Sequence, residues 1–279
     1  MRENPKRVSK NNQGLVRPDL QNPTLRLIIM AVVIVVVLAI ILSTVFRRRT
    51  PQVSTEAGVA YIHQLEAADV APVEQQIKDI RQEERRKALE NGELDVWQQF
   101  GDAVIFGDSR AMGFSVFGFV EDRRVLADSG GTLKNIPDHI EQLQNVNPSI
   151  VFFCFGLNDI SIGYWNTVEE YITELDSMID LVKTSVPGVE VYVNSTIPAT
   201  DPAFEKSEKW REIPDWNAAI KAHCEENGIH YIDISATVEE HKDLYDVDGI
   251  HMQKAFYEYW AIDMIAEVNN DDEQETTAE

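Results

Sequence analysis

From Leu94 onward the chain alternates short apolar runs with helical stretches, and this alternation restricts the fold more than any other feature of its 279 residues. The apolar runs are 103–106, 125–127, 150–155, 189–193 and 230–234, and helical patterns fall near 110–119, 133–144, 167–185, 214–227 and 253–268. Strands that alternate with helices need crossover connections, so the expected fold is α/β: a three-layer α/β/α sandwich around a central parallel sheet. Residues 150–155 (Ile-Val-Phe-Phe-Cys-Phe) are apolar at every position, as a central strand covered on both faces must be.

Upstream, residues 27–46 contain no charge and only Ser43 and Thr44 interrupt the apolar run. As a helix, such a stretch spans about 30 Å of hydrocarbon. A cleaved signal peptide is the competing reading, but the run exceeds a usual signal core and Arg47-Arg48-Arg49 follows it with no small-residue cleavage site. An uncleaved signal-anchor is therefore expected at 24–49. Lys6, Arg7, Lys10, Arg17 and Arg26 precede the span and three arginines follow it, a bias that puts the N-terminus in the cytoplasm and the rest of the chain outside a single-pass cell-membrane segment. Residues 1–23 read as a disordered basic tail. Residues 50–96 read as a helical stalk, with Pro72 in a first helical turn, Val73, Ile77 and Ile80 on one face and Gly92 past the end. The α/β domain is expected at 97–268, and an acidic disordered tail at 269–279.

Nine of the 25 basic and two of the 47 acidic residues precede position 50, which leaves the remainder near −29. A surface so acidic repels nucleic acid and anionic headgroups, and suits neutral or cationic partners or simple solubility. Cys154 and Cys224 fall in an apolar run and a predicted helix, so both read as packing residues rather than as a disulfide.

In doubly wound sheets ligands bind beyond the carboxyl ends of the strands, so the residues that follow each run carry the functional information. The first run ends at Gly107-Asp108-Ser109, the second at Asp128-Ser129-Gly130-Gly131 and the third at Gly156-Leu157-Asn158-Asp159; the loop before the last helix holds Asp248-Gly249-Ile250-His251. Alone, Gly-Asp-Ser is ordinary turn chemistry. In company it gains meaning, because a serine hydroxyl needs a base within reach and His251 is the histidine best placed to serve. Asp248, three residues earlier, is suited to orient that imidazole and to stabilise its charged form. Arg110 suggests no role, and Asp159 reads as support for its loop. His63, His139, His223, His230 and His241 lie outside these loops and read as structural or solvated. No histidine or cysteine spacing suggests a metal site, no Gly-x-Ser-x-Gly elbow is present, and no cofactor is expected.

In these four blocks and their order, over about residues 100–268, the chain resembles the SGNH hydrolase superfamily, the GDSL-type esterases and lipases. The resemblance implies a serine acylhydrolase with catalytic Ser109, Asp248 and His251. It also implies an oxyanion hole of the Ser109 N–H, the Gly130 N–H and the Asn158 side-chain amide, with Gly131 the alternative donor to Gly130. The long connection 198–213, with Phe204 and Trp210, and the pair Tyr164 and Trp165 beside the Asn158 loop suggest a specificity lid. Trp165 and Trp210 are the expected substrate contacts, stacking on a sugar ring or acyl chain. An exported, anchored esterase meets the cell envelope first, so the expected substrate is acylated, particularly O-acetylated, carbohydrate. An O-acyltransferase using the same triad and a non-catalytic envelope-binding module are the alternatives.

Overall fold

The computed structural model describes residues 23–49, 55–66 and 71–268. The tails expected at 1–23 and 269–279 lie, apart from Pro23, outside these residues. The chain divides into two compact units, Met1–Asp69 and Val70–Glu279.

The first unit holds α1 (Pro23–Arg49) and α2 (Glu56–Glu66). Helix α1 is long and apolar enough, by length and composition, to cross a membrane, and none of its most apolar stretch is buried within the protein.

The second unit opens with α3 (Ala71–Glu90) and continues through a sheet of β1 (Ala103–Gly107), β2 (Val125–Ala127), β3 (Ile150–Cys154), β4 (Glu190–Asn194) and β5 (His230–Ile232). Its helices are α4 (Gly113–Val116), α5 (Ile140–Val146), α6 (Leu157–Ile162), α7 (Val168–Ser185), α8 (Asp201–Phe204), α9 (Ile213–Asn227), α10 (Ser235–Glu240) and α11 (Phe256–Ala266). The strands lie in the order β2-β1-β3-β4-β5, and every pairing is parallel. Alternate side chains point to opposite faces. Val104, Phe106, Val151 and Phe153 enter one core with Leu143, Leu175, Ile179 and Ile220 of α5, α7 and α9. Ala103, Ile105, Phe152 and Cys154 enter the other with Leu89 of α3, Phe114 of α4 and Phe256 and Trp260 of α11. The result is the expected three-layer sandwich, with its topological switch between β1 and β3.

Two expected elements differ for local reasons. The stretch 133–144 begins as a 3₁₀ helix (Leu133–His139) around Pro137, which has no N–H to give an α-helical ladder, and becomes α-helical only at α5. The stalk expected at 50–96 divides, because α3 lies in the second unit and packs on α11. Val73, Ile77 and Ile80 are exposed there. Contact instead runs through buried Leu89, an ion pair from Arg86 to Asp263 and a 2.9 Å hydrogen bond from Gln82 to Glu267.

Candidate active site

Strand β1 delivers Ser109 at the switch point, the position a doubly wound sheet leaves open to ligands. Its hydroxyl lies 2.9 Å from His251 Nε2, and His251 Nδ1 lies 2.6 Å from Asp248 Oδ2. The Asp248–His251 loop is held by its own backbone: Asp248 Oδ1 accepts the N–H of Ile250 at 2.9 Å and of His251 at 3.0 Å. Burial pushes the Asp248 carboxyl up, but the His251 N–H and ring and the Ile250 N–H outweigh it and hold the group down to about 2. Asp248 is therefore a carboxylate at neutral pH. The imidazole is 40% exposed, open to an incoming substrate. Three groups so aligned let a hydroxyl pass its proton to the ring while the carboxylate stabilises the imidazolium.

The loops after β2 and β3 close on the same point. Asn158, in the first turn of α6, donates from Nδ2 to the Gly131 carbonyl at 3.1 Å. The Gly131 N–H turns back to the Asp128 carbonyl at 3.0 Å, so of the two glycines it is the Gly130 amide that this turn leaves uncommitted. Behind them Asp159 is wholly buried and accepts the N–H of Leu133 at 2.9 Å and of Gly156 at 2.8 Å, tying the two loops together. Burial raises its carboxyl to about 7 against the pull of those two bonds. Gly156 has φ +120°, and a Cβ there would sit 1.9 Å from Thr196 Oγ1, so no other residue fits the turn that starts α6.

Neither tryptophan expected to contact substrate lies on the surface. Trp165 and Trp210 are each 7% exposed and packed in the core against α7 and α9, and Trp210 Nε1 donates to the Leu157 carbonyl at 2.8 Å. They cover the core edge beneath the Asn158 loop, which corrects the stacking expectation. Tyr164, in contrast, is 51% exposed, with Lys134 Nζ 4.5 Å from its ring centroid.

Two features have no signal in the sequence. Arg110 is buried and bridges Asp108 to the carbonyl of Ile197. His139 Nε2 lies 2.8 Å from Asp128 Oδ2 and so supports the turn that carries Gly130.

A parallel α/β sheet that brings serine, histidine and carboxylate into hydrogen-bonded line at its carboxyl edge has the arrangement of a serine hydrolase. Residues 105–259 match the GDSL-like lipase/acylhydrolase family, and the chain belongs to that family. A comparison with curated proteins finds no match. Among solved structures, a GDSL-like lipase from Bacteroides thetaiotaomicron is 20% identical, with a TM-score of 0.47 over 64% of this chain and 93% of that one. A lipase/acylhydrolase from Enterococcus faecalis is 18% identical, with a TM-score of 0.46 over 59% and 93%. An acetyl xylan esterase is 17% identical, with a TM-score of 0.45 over 60% and 100%.

Proposed function

We propose that the protein is a membrane-anchored acylhydrolase that removes small acyl groups, O-acetyl above all, from carbohydrate of the cell envelope. The observation that carries this reading is the unbroken hydrogen-bonded line from Ser109 Oγ through the His251 ring to Asp248.

In the acylation step Ser109 Oγ attacks the ester carbonyl carbon while His251 Nε2 takes the hydroxyl proton. Asp248 faces Nδ1–H throughout and stabilises the imidazolium. The Ser109 and Gly130 N–H groups and the Asn158 amide receive the developing oxyanion; one Asn158 N–H holds the Gly131 carbonyl, and the other is available to substrate. The C–O bond then breaks, the alcohol leaves with the proton from Nε2, and water attacks the acyl-enzyme by the same route in reverse.

Tyr164, six residues after Asn158 and half-exposed, is the aromatic side chain that this reading assigns to a sugar ring. Helix α1 supports anchoring, since its apolar side chains are outward-facing all around. The excess of Lys and Arg before the span over the three arginines after it favours an extracytoplasmic catalytic unit. The test is acetate release from a panel of O-acetylated glycans by the full chain in detergent micelles, with Ser109→Ala as control. Release that S109A abolishes supports the reading. Equal release by S109A, or no release from any acetylated glycan, refutes it; acetate that reappears on an added sugar acceptor identifies a transferase.

A further inference from the structure

Arg110 follows Ser109 directly, yet no step of the ester chemistry uses it. Its side chain is 3% exposed, and each of its three guanidinium nitrogens donates a hydrogen bond. Nε donates to Asp108 Oδ1 at 3.2 Å and Nη2 to Asp108 Oδ2 at 2.9 Å, while Nη1 donates to the Ile197 carbonyl at 2.8 Å. The Arg110 backbone N–H also donates to Asp108 Oδ1 at 2.9 Å, so Ser109 sits inside a ring closed by its two neighbours. From the other side the Tyr257 hydroxyl donates to the Arg110 carbonyl at 2.7 Å.

Ile197 belongs to the connection on which the histidine loop rests. The Tyr245 hydroxyl, at the base of that loop, donates to the Pro198 carbonyl at 2.6 Å. Thr200 donates to the Gly249 carbonyl from its N–H at 2.9 Å and from Oγ1 at 3.3 Å, and Gly249 stands between Asp248 and His251. Hydrogen bonds therefore tie the serine turn, through the Arg110 fork, to the backbone of residues 197–200, and tie that backbone in turn to the loop that carries the base.

We infer that Arg110 is a positioning residue: it braces the serine turn against residues 197–200 and thereby sets the distance between Ser109 Oγ and His251 Nε2. This inference rests on the reading of Ser109 as nucleophile. A buried ion pair is a poor device for stability alone, because apolar side chains of similar volume fill such a space as well. What the planar fork supplies is direction, since it holds two carboxylate oxygens and a third acceptor in one rigid geometry that the single ammonium of lysine does not reproduce. Reaction rates respond steeply to such geometry, and a displacement of about 1 Å lowers them by about 10²-fold.

The test uses the full chain in detergent micelles, with kcat and KM for p-nitrophenyl acetate normalised to folded protein by circular dichroism. For Arg110→Lys we expect kcat to fall by roughly 10- to 100-fold with KM within about twofold. For Thr200→Val and Tyr245→Phe, each of which removes one bond between residues 197–200 and the histidine loop, we expect kcat to fall by roughly three- to tenfold. Wild-type kcat in R110K overturns the inference, because charge balance alone then suffices. If R110K fails to fold, the other two variants decide: losses confined to kcat support the brace, and wild-type kcat in both removes it. Ser109→Ala separates the two readings, since turnover in S109A refutes the nucleophile, whereas a dead S109A beside a fully active R110K refutes only the brace.

Discussion

Exchanging Asp248 for asparagine conserves the shape of the side chain and removes one acceptor, and the surrounding bonds do not tolerate the change. Oδ1 is claimed by the N–H groups of Ile250 and His251 at 2.9 and 3.0 Å, so the new amide nitrogen must take the Oδ2 position, 2.6 Å from His251 Nδ1. A donor there forces Nδ1 to accept and shifts the ring proton to Nε2, where it points at Ser109 Oγ and blocks proton uptake. The expected loss in kcat is about 10⁴-fold, the size that accompanies a wrong histidine tautomer in a serine triad. Stability changes in the same variant. The folded Asp248 carboxyl titrates at about 2, against about 3.9 in an unfolded chain, a difference worth roughly 2–3 kcal/mol at neutral pH. Solvent reaches a side chain that is 29% exposed, which reduces this to about 1–2 kcal/mol. Because the folded value is depressed, the contribution is complete above about pH 4 and disappears as pH falls through about 2. Asparagine does not titrate, so the stability gap between wild type and Asp248→Asn narrows across that window. Ester hydrolysis and denaturant unfolding, both followed from neutral pH downward, check the two halves separately. A kcat within tenfold of wild type refutes the assigned tautomer, and a gap that stays constant with pH refutes the electrostatic account.

Asn158→Ala should lower kcat by about 10²–10³-fold with little change in KM, as expected for an oxyanion donor and measurable with p-nitrophenyl acetate. Gly156→Ala should destabilise by on the order of 3 kcal/mol or more in denaturant unfolding, because the Cβ meets Thr196 Oγ1 at 1.9 Å in a backbone already at φ +120°. Trp210→Phe should lose about 1–3 kcal/mol of stability by leaving the Leu157 carbonyl unbonded; its glycan preference should stay that of wild type, and an altered preference would restore the stacking role.

The sheet was legible because a parallel sheet covered on both faces leaves its first three strands, β1 to β3, no polar positions. Ala103–Gly107, Val125–Ala127 and Ile150–Cys154 differ from the expected runs by a residue at most. The discrepancy at Phe155 arises where the positive φ of Gly156 turns the chain into α6, a backbone property that hydropathy does not report. The stretch 110–119 shortens to α4 because Asp108 caps the Arg110 N–H and the chain leaves the strand in a tight turn rather than a full helix. Helix α3 shows the opposite failure. Its periodicity selected Val73, Ile77 and Ile80, but docking is decided by Arg86 and Gln82, whose partners Asp263 and Glu267 lie on α11 and at its C-terminal cap, 177 and 185 residues away.

The same distinction divides the site. Ester chemistry dictates residue types, so Ser109, His251, Asp248 and Asn158 stand out wherever a strand ends, and the structure brings the first three into one hydrogen-bonded line. What holds them dictates no residue type at all. Arg110 fastens on the carbonyl of Ile197, Asp159 on the N–H groups of Leu133 and Gly156, and Trp210 on the carbonyl of Leu157. A backbone N–H or carbonyl is present at nearly every position, so a side chain that finds its partner there leaves no paired signal in the sequence. An indole in a long loop likewise reads the same whether its ring meets a sugar or the core, and only the 2.8 Å bond to Leu157 decides for Trp210. The reacting groups are thus legible from chemistry, while their supports require the fold.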